Sequence, residues 1–271
     1  MNNFVLRLIT GVLYVALTLA AIILHPATAA ILFGIGAFLS QREFLKTFIG
    51  KSKPHSNLSM TSGIVIYTLI ALHALKMIDS HWLGFLFLPL VAIFLSELYR
   101  KQDNPFLNIG TTIISLVYVV APFSLLNYIY QYGENFSGQA YLLILAFFVL
   151  IWVNDSLAYV TGLLAGRHKL FPRISPQKTW EGFLGGFLFS LATGCGFFIL
   201  FKGMALEAWL GYAATVAIFA TFGDLVESML KRNFEVKDSG NILPGHGGML
   251  DRFDGVLLAS PTVFLFLNFI I

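Results

Sequence analysis

The chain has 271 residues, of which 57% are hydrophobic and only 11% are charged, against roughly 25% charged residues in an ordinary water-soluble domain. Its 27 phenylalanines and mean hydropathy of +0.79 exclude a soluble enzyme, because one globule could not bury so much apolar surface. The net charge of +3 is too small to indicate a nucleic-acid partner. The single cysteine, Cys195, excludes an intrachain disulfide and a cysteine-based zinc site.

Apolar stretches long enough to cross a bilayer recur along the whole chain. A hydrocarbon core about 30 Å thick needs about 20 mostly apolar residues per helical crossing. The pattern predicts an all-α polytopic bundle and a single membrane domain, 1–271, with N-terminal helices in 1–139 and catalytic helices and cytoplasmic-side loops in 140–271. The nine predicted spans are residues 4–24, 27–41, 59–77, 82–98, 107–128, 140–164, 182–201, 207–230 and 255–271.

The distribution of basic residues predicts the direction of these spans. Ala27-Thr28-Ala29 resembles a signal-peptidase site, but the preceding apolar run is too long and more spans follow, so we expect no cleavage there. With a cytoplasmic N-terminus, fifteen of the seventeen Lys and Arg residues lie on the inner side, and only Lys76 and Lys202 lie outside. This asymmetry is typical of a multi-pass protein of a bacterial-type inner membrane.

Two aspartates fall inside predicted spans. At a rise of about 1.5 Å per residue, Asp155 and Asp224 both reach the cytoplasmic third of the bilayer. An ionised carboxylate there costs several kcal/mol unless it is paired or hydrated, so such residues usually face a cavity, a partner or a metal. The alternative for each is a neutral, hydrogen-bonded structural aspartate.

The eighth predicted span carries a polar stripe. Asp224, Glu227, Ser228 and Lys231 follow the spacing that places side chains on one helical face. A carboxylate, a hydroxyl and an ammonium group would therefore share one surface. The polar segment that follows, up to Asp254, could be only a solvated loop.

That segment ends with features suited to a metal and phosphates. The glycines in residues 244–248 allow positive φ and close backbone approach, so their N–H groups could face phosphate oxygens. Asp251 and Asp254 lie three residues apart, and paired carboxylates suit Mg²⁺. Together with Asp224 they predict an anionic site ringed by cations, which fits a metal with a polyphosphate.

A second basic segment precedes the seventh span. Arg167, Lys169, Arg173 and Lys178 occur within twelve residues. They could be an orientation signal that attracts anionic headgroups, or Lys178 and its neighbours could bind phosphate. The histidines at 168 and 246 are expected to be loop residues rather than metal ligands, since no second histidine lies at ligand spacing.

The stretch from Ser228 to Asp254 resembles the signature of the phosphatidate cytidylyltransferases, also called CDP-diacylglycerol synthases. Ser228 is followed by Lys-Arg, Lys-Asp, Pro-x-His-Gly-Gly and Asp-Arg-x-Asp in that order. An upstream block, with Asp155-Ser156, Lys178-Thr179 and Glu181-Gly182, is similar to the same family. The motif resemblance covers residues 150–256.

The resemblance implies an enzyme that joins CTP to phosphatidic acid, giving CDP-diacylglycerol and pyrophosphate for phospholipid synthesis. It implies Mg²⁺ as cofactor, leaves a second, monovalent cation open, and implies a homodimer with its active site facing the cytoplasm. The catalytic residues implied are Asp224, Lys231, Asp251 and Asp254, and the three aspartates among them would bind metal. The implied substrate and phosphate ligands are Lys178, Ser228, Arg232, Lys237, Asp238, Gly245, His246, Gly247, Gly248 and Arg252.

Three other classes of membrane protein share single features with this sequence. Gly223-Asp224 with Asp155 could form an intramembrane aspartyl protease, but a dyad that shares a proton has no use for surrounding cations. A transporter or flippase for anionic lipid would also bury charge, but internal repeats are absent from the sequence. The motif of the CDP-alcohol phosphotransferases is absent, because Asp254-Gly255 is followed by Val-Leu-Leu.

Overall fold

The computed structural model describes residues 3–137, 139–201, 203–240, 242 and 247–270. Within these ranges the fold is almost entirely helical, as the sequence predicted. The helices are α1 Asn3–Leu24, α2 Pro26–Thr47, α3 Ser56–Ala74, α4 Phe87–Tyr99, α5 Pro105–Ile114, α6 Ala121–Ser137, α7 Tyr141–Ala165, α8 Trp180–Leu200, α9 Leu206–Asn233 and α10 Leu250–Ile270. A 3₁₀ helix, Ser80–Leu86, leads into α4, and a π-helical segment, Ser115–Val120, joins α5 to α6.

Every predicted span coincides with a helical stretch. Seven of these stretches in the described chain are long and apolar enough to cross a membrane, from Ser56–Ala74 through to Leu250–Ile270. The other two are α1, which includes the apolar stretch Thr10–Leu24, and α2. Helix α2 is 22 residues long but carries Gln41, Arg42, Glu43 and Lys46 in its second half, which lowers its hydropathy. The predicted count of about nine is therefore roughly consistent with the structure.

The segment between α7 and α8, predicted as a loop, contains a β-hairpin. Strand β1, Lys169–Phe171, pairs antiparallel with β2, Ser175–Thr179, with Lys169 opposite Thr179. Thr179 then caps α8, because its side chain accepts a hydrogen bond from the Gly182 N–H at 3.1 Å. The hairpin thus ends directly on a membrane helix and fixes where Lys178 lies.

Two compact units divide the chain. The first contains Met1–Tyr128 together with Asn233–Phe253, and buried phenylalanines such as Phe33, Phe44 and Phe123 form part of its core. The second contains Ile129–Arg232 together with Asp254–Ile271. Its core includes Phe147, Phe148, Trp209 and Tyr212, whose hydroxyl donates to the Leu143 carbonyl at 2.8 Å.

Candidate active site

Three aspartates from three helices of the second unit gather into one acidic cluster. Asp155 lies on α7, Asp224 on α9 and Asp254 on α10. The charge of Asp254 interacts with those of Asp224 and Asp155, and Asp155 also interacts with Asp224. Asp155 is exposed while Asp224 and Asp254 are half-buried, so a ligand can reach the cluster.

A glycine allows α9 and α10 to approach closely at this point. A Cβ built on Gly223 would overlap the carbonyl oxygen of Asp254 and lie 3.1 Å from the Gly255 Cα. Any larger residue would have to push the two helices apart. Gly223 therefore helps to bring the Asp224 and Asp254 side chains together.

Lys178 places a positive charge on the cluster. Its Nζ forms an ion pair with Oδ2 of Asp224, and about a quarter of the lysine side chain (26%) is exposed. Lys178 also interacts electrostatically with Asp155. The β-hairpin thus delivers a cation to two acidic groups of the second unit.

The polar stripe of α9 forms the side-chain pairs that its spacing implies. The Ser228 hydroxyl donates to Oδ1 of Asp224 at 3.2 Å, and Lys231 forms an ion pair with Glu227 four residues earlier. The Glu227 side chain is fully buried, and its charge interacts with that of Asp254. Glu227 was part of the predicted stripe but not of the predicted site, since the signature gave it no role.

The exposed end of α9 contacts the hairpin. The Arg232 Nε donates to the Ile174 carbonyl at 3.4 Å, and the Arg232 side chain is otherwise solvent-accessible. Of the predicted site, the second unit contains Lys178, Asp224, Ser228, Lys231, Arg232 and Asp254. Among these, Lys178 and Ser228 directly contact Asp224.

The remaining described residues of the predicted site belong to the first unit. Asp251, in the first turn of α10, accepts three hydrogen bonds at Oδ2: from the Ser239 N–H at 3.0 Å, the Ser239 hydroxyl at 2.9 Å and the Gly248 N–H at 2.8 Å. Gly247 has a φ of +83°, which disfavours any residue with a side chain. Lys237, Asp238 and Arg252 are exposed. Gly245 and His246 lie outside the described residues.

The fit of the donor set to a divalent metal can be judged from the acidic cluster. Over the ranges that the structure describes, there is no group of three His, Cys, Asp or Glu residues placed to hold a metal ion. Mg²⁺ keeps several waters and is usually bound through one or two carboxylates and the phosphates of a substrate. Asp224 and Asp254, on helices that meet at Gly223, could supply such a pair of carboxylates, whereas a ready-made cage of three carboxylates is not present among the described residues.

Comparison with known proteins identifies the family. The cytidylyltransferase family matches residues 5–270. A phosphatidate cytidylyltransferase of Staphylococcus epidermidis (strain ATCC 35984) is 34% identical over 259 residues, 91% of this chain and 96% of that protein.

Two further relatives match a shorter stretch, and they carry the same name. The phosphatidate cytidylyltransferase of Staphylococcus haemolyticus is 41% identical over 165 residues, and these cover 60% of each chain. That of Thermotoga maritima is 41% identical over 172 residues, covering 61% of this chain and 62% of that protein. The match over nearly the whole chain shows that this protein belongs to the cytidylyltransferase family.

Proposed function

We propose that this chain transfers a cytidylyl group from CTP to phosphatidic acid, giving CDP-diacylglycerol and pyrophosphate. The observation that carries the proposal is the Lys178–Asp224 ion pair beside Asp254 and Asp155, on helices long and apolar enough to span a bilayer. The relatives named phosphatidate cytidylyltransferase support the same reaction. A nucleotide from the cytosol and a lipid with its tails in the bilayer would meet at such a site.

The chemistry requires little proton transfer. Phosphatidate is already an anion at neutral pH, so one of its phosphate oxygens can attack the α-phosphorus of CTP without a strong general base. A new P–O bond forms, the bond from the α-phosphorus to the bridging oxygen breaks, and pyrophosphate leaves with the electron pair. The main task of the protein is to bring two anions together in line and to neutralise the charge on the leaving group.

Basic residues of this chain are proposed to bind phosphate, and acidic residues are proposed to bind metal. Lys178, Lys231 and Arg232 are proposed to bind phosphate oxygens, and Ser228 to orient Asp224 through its hydrogen bond. Asp224 and Asp254 are proposed to hold Mg²⁺, with Asp251, three residues before Asp254 on α10, as a further predicted ligand. When bound, the metal would supply Lewis-acid stabilisation of the phosphates.

We also propose, from the family resemblance and the distribution of basic residues, that the protein is a homodimer in the inner membrane and that its active site faces the cytoplasm.

The ion pair also argues against the protease alternative. Two aspartates that share a proton require a site in which one carboxyl is neutral. Lys178 instead forms an ion pair with Asp224, a contact that a proton-sharing dyad does not require. The proposed transferase reaction uses both side chains, Asp224 to hold metal and Lys178 to bind phosphate.

The test uses purified protein in detergent micelles with CTP, phosphatidate and Mg²⁺. We expect CDP-diacylglycerol and an equal amount of pyrophosphate, and loss of both when EDTA removes the metal. Asp103→Asn is the control, because Asp103 is exposed and only weakly paired with Lys53 at 3.9 Å. Wild-type protein that forms no liponucleotide, but cleaves a helical peptide or moves lipid between leaflets, would contradict the proposal.

A further inference from the structure

Helix α2 contributes a buried acidic residue that the sequence motifs did not indicate. Glu43 carries a carboxylate but is only 4% exposed. Most of the other buried residues of α2 are apolar. Its Oε2 accepts a hydrogen bond from the Leu250 N–H at 2.9 Å and from the Ser239 hydroxyl at 3.4 Å. Both donors belong to the signature segment, Ser228–Asp254, and to the same compact unit as Glu43.

Leu250 is the first residue of α10, so its N–H has no hydrogen-bond partner within that helix. A negative charge is favoured at this end of a helix, because the N–H groups and the helix dipole both face it. The carboxylate of Glu43 therefore caps α10 from a helix about 200 residues earlier in the chain.

Two glycines of the signature segment pack directly against this carboxylate. A Cβ built on Gly240 would overlap Oε1 of Glu43, and one built on Gly248 would lie 2.6 Å from Oε2. The backbone at Gly240 and the backbone at Gly248 thus both pack closely against the Glu43 side chain.

Ser239 connects this contact to Asp251. The Thr47 hydroxyl, one turn after Glu43 on α2, donates to the Ser239 carbonyl at 2.8 Å. Ser239 in turn donates its N–H and hydroxyl to Asp251. The chain of contacts therefore runs from α2 through Ser239 to a carboxylate at the start of α10.

We propose that Glu43 is a positioning residue that holds residues 239–240 and 248–251 of the signature segment in the conformation needed for catalysis, by capping α10 and binding Ser239. It acts on the reaction through Asp251 and the glycine backbone, and does not itself touch substrate. The inference rests on the proposed function only for its effect on activity, since the positioning itself can be measured without substrate.

The first experiment measures the conformation of the segment in the intact protein. Lys237 is exposed and lies two residues before Ser239, so tryptic cleavage after Lys237 reports release of the segment. We expect Glu43→Ala to be cleaved there about tenfold faster than wild type, because two hydrogen bonds and a helix cap are lost. Glu43→Gln should lie much closer to wild type, since its amide oxygen can accept both hydrogen bonds.

The matched control is Glu97→Gln, in another helix of the same unit. Glu97 is 7% exposed and pairs with Arg100, outside the signature segment. Glu97→Gln should lower the thermal midpoint yet leave cleavage after Lys237 at the wild-type rate. Equal acceleration by Glu43→Ala and Glu97→Gln, or none by Glu43→Ala, would overturn the proposal.

The second experiment measures turnover of the same proteins in micelles. We expect Glu43→Ala to lower kcat about tenfold with a smaller change in the KM for CTP, and Glu43→Gln to recover most of kcat. A Glu43→Ala protein that is cleaved rapidly but keeps wild-type kcat would overturn the link to activity. If wild-type protein forms no CDP-diacylglycerol, the proposed function fails, and the cleavage rates still decide whether Glu43 positions the segment.

Discussion

Two clusters of charged residues in this protein differ in how their charges are paired. In the first unit, Glu97 forms an ion pair with Arg100 and accepts from the Asn108 amide at 3.3 Å. Arg100 also donates to the Lys53 carbonyl at 2.9 Å, and Asn108 accepts the Lys53 N–H at 2.7 Å. Each charge in this cluster therefore has a partner from the protein itself.

The cluster of the second unit gathers like charges. Asp155, Asp224 and Asp254 interact with one another, and Lys178 forms an ion pair with only one of them. Bringing carboxylates together is unfavourable unless a ligand or metal compensates for it, which is why such arrangements are found at functional sites. The comparison supports our proposal that the aspartate cluster binds ligands, whereas the paired charges of the Glu97 cluster stabilise the fold.

Removing one of the clustered carboxylates should have the largest effect. We expect Asp254→Asn to lower kcat for CDP-diacylglycerol synthesis by about a hundredfold or more, because a proposed metal ligand becomes a neutral amide. Its thermal midpoint should not fall, since the substitution removes one of several neighbouring carboxyl groups. Activity within a few-fold of wild type would remove Asp254 from the site.

Removing the cation should have the next largest effect. Lys178→Met keeps the length of the side chain but loses its charge, so we expect kcat/KM for CTP to fall about tenfold to a hundredfold. The control is Lys169→Met, which removes an exposed lysine of the same hairpin. An equal loss in both variants would indicate that the hairpin acts only through its general positive charge.

Widening the gap between α9 and α10 should have a moderate effect. Gly223→Ala places a Cβ against the Asp254 carbonyl, which should cost about 1–3 kcal/mol and lower kcat several-fold by separating Asp224 from Asp254. Gly196→Ala is the control, because nothing lies within 4 Å of the added Cβ. The thermal midpoint and kcat should fall together in Gly223→Ala and not in Gly196→Ala.

The smallest effect on activity is expected in the first cluster. Glu97→Gln should lower the free energy of unfolding by about 1–3 kcal/mol, because Arg100 loses its charged partner. Its kcat per folded protein should equal that of wild type. A loss of kcat without a loss of thermal stability would contradict the structural role of this cluster.

The sequence predicted most of the fold because hydropathy and helix length depend on local composition. Helix positions, the Asp224–Ser228 spacing and the Glu227–Lys231 spacing could all be obtained from neighbouring residues along the chain. The hairpin was missed, since its strands are only three and five residues long and contain Pro176.

The tertiary contacts of the site could not be obtained in this way. The Lys178–Asp224 ion pair joins residues 46 positions apart, and nothing in either segment specifies the other. Glu43 was missed for the same reason: beside Arg42 it resembles an ordinary charged end of an apolar helix, while its partners lie near residues 239–250. A buried acidic residue with no motif becomes informative only when its hydrogen bonds are known.

We propose that the aspartate cluster catalyses transfer of the cytidylyl group, with the α-phosphorus of CTP, to the phosphate of a lipid. The most direct test supplies CTP labelled at either the α- or the γ-phosphate and separates lipid from water after the reaction with Mg²⁺ and phosphatidate. We predict that wild type and Asp103→Asn place the α-label in lipid and the γ-label in aqueous pyrophosphate, and that Asp254→Asn transfers the α-label to lipid about a hundredfold more slowly. Recovery of the γ-label in lipid, or of the α-label in lipid with undiminished yield from Asp254→Asn, would contradict the proposed role of the cluster.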